Sequence, residues 1–113
     1  MKKLLLGLGL IAAAAIPPAT TPSWAQDAPI VVHLKNHKFT PSVIKVKANK
    51  PSMIILHNDD PGADEFDSPS LKIERVVPGR SKANIRVRAL APGRYSFMGE
   101  FNAATVQGVV IAE

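Results

Sequence analysis

The sequence predicts an all-β domain, a sandwich of about seven short strands. Two observations carry that expectation. Apolar and polar residues alternate with a period of two many times after residue 29, and no stretch there sustains the 3.6-residue period of an amphipathic helix. Turn formers then cut the chain at short intervals, at Asn36-His37, Asn49-Lys50-Pro51, Asp59-Asp60-Pro61-Gly62, Pro78-Gly79 and Pro92-Gly93. Many short strands between turns in one small domain is the pattern of a sandwich.

In chain order, the first segment lies outside that sandwich. Lys2 and Lys3, the apolar run from Leu4 to Ile16 and a small-residue stretch ending Ser23-Trp24-Ala25 have the layout of a secretory signal peptide, with cleavage after Ala25. A helix needs about 20 apolar residues to span a bilayer, and this run is shorter and stops at Pro17-Pro18. The expected organisation is therefore a signal peptide over residues 1–25 and one domain over 26–113, delivered to the periplasm. With no Cys there is no residue to carry a lipid anchor, no disulfide and no thiol chemistry.

The strands follow at about 30–35, 42–47, 52–58, 72–77, 82–89, 93–98 and 106–112. Val32 and Leu34 alternate with His33 and Lys35, Ile44 and Val46 with Lys45 and Lys47, and Ala83, Ile85, Val87 and Ala89 with Asn84, Arg86 and Arg88. Each of these reads as a strand with one dry and one wet face. Met53 to Leu56 and Val109 to Ile111 are continuously apolar and read as strands nearer the middle of a sheet.

Composition excludes some functions. Without Lys2 and Lys3, the 14 basic side chains become 12 against 9 acidic ones, a mild excess dispersed over several segments. A nucleic-acid surface needs basic residues clustered and interleaved with aromatics, and none of the segments offers that. Ser68, Ser70 and Ser96 have no His/Asp partner at recognisable spacing, so nucleophilic hydrolysis has no support. The loop from Asp59 to Asp67 is acidic but lacks the alternating ligands and closing Glu of a calcium loop.

His37-Lys38-Phe39-Thr40-Pro41, Ala48-Asn49-Lys50-Pro51, Leu56-His57-Asn58-Asp59, and above all Pro92-Gly93-Arg94-Tyr95-Ser96-Phe97 leading to Gly108-Val109-Val110 resemble the cupredoxin pattern over residues 30–112. The resemblance implies a Greek-key β-sandwich with a phenylalanine plugging one end of the core. It also implies where a type 1 copper would bind, and there this chain departs. The first histidine position falls on Glu65, the cysteine on Gly99, the second histidine on Asn102 and the axial methionine near Val106. No other side chain replaces the copper thiolate, so a blue-copper electron carrier is excluded.

Glu65-Phe66-Asp67-Ser68 and Phe97-Met98-Gly99-Glu100-Phe101-Asn102 are similar instead to a cysteine-free group of single-domain periplasmic cupredoxins associated with bacterial iron permeases. In that pattern the last position is a histidine, and here it is Asn102. The resemblance implies that Glu65, Met98, Glu100 and Asn102 surround one metal pocket, with copper as the ion and a permease as the partner. His57, at a strand end near the acidic loop, is a further candidate ligand. His33 and His37 are weaker ones, because the resemblance puts the first turn at some distance from the metal end, and ligands from the first strand stay open. Asn58 is expected to tie the two metal loops together. Three functions stay open: a metal-binding accessory protein, a copper-dependent ferroxidase, and a metal-free interaction module.

Overall fold

The structure, a computed structural model, describes residues 28–113; the stretch read as a signal peptide, residues 1–25, lies outside the described residues. Among the described residues nine strands form two sheets packed face to face, as expected of a cupredoxin-like sandwich. They are β1 (Ile30–Lys35), β2 (Lys38–Thr40), β3 (Val43–Val46), β4 (Ser52–Asn58), β5 (Asp64–Ser68), β6 (Ile73–Val77), β7 (Ser81–Val87), β8 (Gly93–Gly99) and β9 (Gln107–Ala112). One sheet has the order β2-β1-β4-β7 and the other β3-β9-β8-β5-β6. The pairs β1/β4 and β3/β9 are parallel, and the other neighbours are antiparallel.

Period-two alternation sends one residue set inward from each sheet. Val32, Leu34, Ile54, Leu56, Ile85 and Val87 from the first sheet meet Ile44, Phe66, Val77, Phe97 and Val110 from the second, all buried. Burying each such side chain contributes about 1.5–3 kcal/mol, which is how a domain without disulfides holds together. Phe39 plugs one end of this core: it meets Phe97 edge-on with ring centroids 4.9 Å apart, and Phe97 stacks on Phe66 at 4.8 Å. Gly108 makes room for that cluster, because a Cβ there would overlap the Phe97 ring.

Two strands go beyond the seven expected. β2 is a three-residue return from the β1 turn, where Asn36 and His37 both adopt positive φ, the conformation that a tight hairpin requires. Asp60 holds this turn, its carboxylate accepting from the N–H groups of Asn36 at 2.6 Å and His37 at 3.0 Å. β5 runs through Asp64-Glu65-Phe66-Asp67-Ser68, a stretch that reads as an acidic loop because its only large apolar residue is Phe66. Tyr95 gives the Pro92-Gly93 turn its stability: its hydroxyl donates to the Ala91 carbonyl at 2.8 Å.

Candidate functional site

β5 decides the geometry of the candidate site. Phe66 faces the core, so Asp64 and Ser68 face inward with it, and Glu65 and Asp67 face out. The residue that meets the late loop from inside the sandwich is therefore Asp64. Glu65, on which the sequence reading put the first histidine position, lies on the opposite side of the strand.

Asp64 is buried and fully engaged. Its Oδ1 accepts from the N–H of Glu65 at 2.8 Å and of Phe101 at 3.0 Å, and its Oδ2 accepts from Asn102 Nδ2 at 3.3 Å. The turn that carries the last two of these donors, Glu100–Asn102, closes on itself. Val106 N–H donates to the Asn102 carbonyl at 3.0 Å, and Gly99 N–H donates to the Val106 carbonyl at 2.7 Å. A Cβ on Gly99 would sit 2.7 Å from both Asp64 Oδ2 and Val106 Cγ1.

These four residues, Asp64, Gly99, Asn102 and Val106, thus occupy the end where the resemblance puts a type 1 copper, and they do not fit that ion. No thiolate or imidazole is present, Val106 is apolar, and both oxygens of Asp64 already accept hydrogen bonds. Asn102 stabilises a carboxylate there instead of offering a metal donor.

The outer face of the five-stranded sheet is arranged differently. Asp67 sits opposite Met98 of β8 on one side and Glu74 of β6 on the other. Carboxylate oxygens of Glu65, Asp67 and Glu74 lie within 4.8 Å of one another. Glu100 joins them: a hydrogen bond shared with Asp67, then the charge of Asp67, desolvation and the charges of Glu65 and Glu74 push its pKa up. Like charges this close favour a proton on one of them. Glu65, Met98 and Glu100 are therefore neighbours of one surface, and Asp67 and Glu74, which the sequence reading left out of the set, complete it. Alternation around Phe66 was the available signal for Asp67; Glu74 arrives only through the pairing of β5 with β6.

Asn102 and His57 stand apart from that surface. Asn102 serves Asp64 as described, and His57 projects from β4 on the other sheet, next to His33. Asn58 also differs from expectation. Its Nδ2 donates to the Gly62 carbonyl at 2.9 Å and the Val77 carbonyl at 3.1 Å, and its Oδ1 accepts from Asp60 N–H at 3.1 Å. It ties the 59–63 turn to the corner after β6, and the bond to the late loop is made by Asp64. A cavity of about 820 Å³ at the far end of the sandwich is lined by Lys45, Lys47, Arg86 and Arg88 and holds no His, Asp or Glu.

Residues 5–112 match the Cupredoxin-like domain family. An uncharacterized protein of Rickettsia prowazekii (strain Madrid E) is 34% identical over 82 residues, a span that covers 73% of this chain and 66% of that protein's length. Among solved structures, the fold is similar to the metal binding domain of the Cu(I) exporting P-type ATPase CopA of Streptococcus pneumoniae D39, with Cu(I). There the TM-score is 0.67 and the identity 17%, covering 75% of this chain and 84% of that one. It is also similar to auracyanin A, a blue copper protein from Chloroflexus aurantiacus, with a TM-score of 0.62 and 14% identity over 76% of this chain and 98% of that one.

Proposed function

The chain belongs to the Cupredoxin-like domain family, and from that premise we propose that it is an exported metal-binding accessory protein, copper being the first candidate ion. It works in metal uptake or handling without a blue-copper centre. The observation that supports this reading is the crowding of Glu65, Asp67, Glu74 and Glu100 beside Met98 on one outer face. Carboxylates with a thioether are a mixed hard and soft set, suited to Cu(II), Fe or Mn with modest selectivity. A divalent cation relieves the repulsion among these carboxylates.

Exposed donors exchange quickly, so such a face suits handing an ion on more than retaining it. The chain's carboxylates orient the ion, Met98 favours the softer ions, and protonation of the cluster releases it. In this reading the protein acts in the periplasm, and the recipient is a membrane iron permease or another transport component. Metal analysis of the purified protein, followed by Cu(II) titration under EPR of the wild type and of Glu65→Gln/Asp67→Asn, tests it. We expect the double variant to lose at least tenfold in affinity for the ion it carries. Failure of the wild type to bind stoichiometric metal in the titration overturns the reading, and Fe(II) oxidation in air by the copper-loaded protein replaces it with a ferroxidase.

A further inference from the structure

Parallel pairing of β1 with β4 sets His33 directly opposite His57 on the outer face of the four-stranded sheet. Their inward neighbours Val32, Leu34 and Leu56 are in the core, so both rings point away from it. The rings are stacked, with centroids 4.8 Å apart and planes 18° from parallel. Past the end of β4, Asp59 N–H donates to the Leu34 carbonyl at 2.8 Å, which returns this residue to β1. The Asp59 carboxylate then lies 2.8 Å from His33 Nδ1. One nitrogen from each ring and one Asp59 oxygen fall within 4.8 Å of one another.

We propose that His33, His57 and Asp59 form a metal site for an imidazole-preferring divalent ion, Cu(II) first and Ni(II) or Zn(II) after it. Two imidazoles and one carboxylate select differently from an all-oxygen cluster, because nitrogen donors favour the later first-row metals and Cu(II) binds most tightly among them. The backbone part of the site is preorganised: both histidines stand on paired strands, and Asp59 is fastened by its own N–H. All three side chains are at least partly exposed, so the rings can turn their lone pairs toward one point without backbone movement.

The surroundings set the affinity. Lys82 pairs with His57 from β7, Thr40 pairs with His33 from β2, and Lys35 and Lys38 share the exposed face. Three lysines on the same sheet face oppose a dication and make the site an exchanging one. Lys82, the closest in register, is the lever.

This site shares no residue with the acidic face on the other sheet, so each succeeds or fails alone. Equimolar Cu(II) is added to the purified protein and followed by pulsed EPR, which detects imidazole nitrogens, and by competition for affinity. We expect modulation from two imidazoles in the wild type, one in His33→Gln or His57→Gln with at least a tenfold loss of affinity, and a severalfold gain in Lys82→Gln. Glu65→Gln/Asp67→Asn and His37→Gln leave the two-imidazole signal intact. Both histidine variants should keep the wild-type circular dichroism, since neither ring is in the core. A signal without imidazole, a two-imidazole signal that survives unchanged in His57→Gln, or one lost in His37→Gln, overturns the assignment.

Discussion

Asp64 and Glu65 are adjacent in sequence and opposite in circumstance. Asp64 points into the end of the sandwich, where two backbone N–H groups and Asn102 satisfy it. Glu65 points out, toward Asp67 and Glu74, where carboxylates meet carboxylates. A buried carboxylate is tolerated only when donors converge on it, whereas an exposed cluster is tolerated because water screens it. The comparison teaches that the interior end serves as a structural joint, while the like charges are left on the outside.

The largest expected effect comes from breaking the joint. Asp64→Ala leaves Glu65 N–H, Phe101 N–H and Asn102 Nδ2, all partly buried, without their shared acceptor, and with about 1 kcal/mol for each the total loss should be about 3 kcal/mol. Denaturant unfolding measures it, and hydrogen exchange should show the turn at residues 100–106 losing protection first. A loss below about 0.5 kcal/mol would mean that the joint is not structural.

Gly99→Cys comes next. Its side chain enters space held by Asp64 Oδ2 and Val106 Cγ1, so we expect about 1–3 kcal/mol of overpacking cost. Added Cu(II) should give no strong absorption near 600 nm. A blue colour from this single change would show that the end is more open than its contacts indicate.

Two acidic groups should respond to pH in opposite directions. The N–H of His37 lowers the pKa of Asp60 most, with further help from Asn36 N–H and the charges of His37 and Lys35, against a desolvation cost. Its contribution to stability is therefore complete above the ordinary carboxylate range and disappears as pH falls through its lowered folded value. Glu100, held above its ordinary value by Asp67 and its neighbours, binds its proton more readily folded than unfolded. Its effect is to favour the folded state as pH falls. Comparing melting curves of Asp60→Asn and Glu100→Gln with the wild type between pH 3 and 7 should show slopes that change in opposite senses.

The smallest effect belongs to Glu65→Gln, which removes one like charge from an exposed cluster. We expect a gain of a few tenths of a kcal/mol in metal-free protein. Salt titration should erase it, because exposed charges are screened.

Most of the fold was legible because the core strands alternate strictly: Val32/Leu34, Ile44/Val46 and Ile85/Val87 each declare a buried face. β5 was not, since a strand whose inward positions are Asp64, Phe66 and Ser68 carries no apolar alternation. That same omission displaced the site. With the 64–68 segment read as a loop, Glu65 and not Asp64 was set against the late turn, and Asn58 was credited with a bond that Asp64 makes. The grouping of Glu65, Met98 and Glu100 was legible from the resemblance, but its completion by Asp67 and Glu74 needed strand pairing. His33 was ranked below His57 because parallel pairing joins residues 24 positions apart, which no local pattern reveals.

β9 has a consequence for the order of assembly. It lies between β3 and β8, parallel to one and antiparallel to the other, so the five-stranded sheet cannot close until residues 107–112 have been made. Contacts so distant in sequence come late and slowly in folding. A ribosome-bound chain stalled before this strand should stay open to proteolysis, whereas its release should bring protection in a single cooperative step.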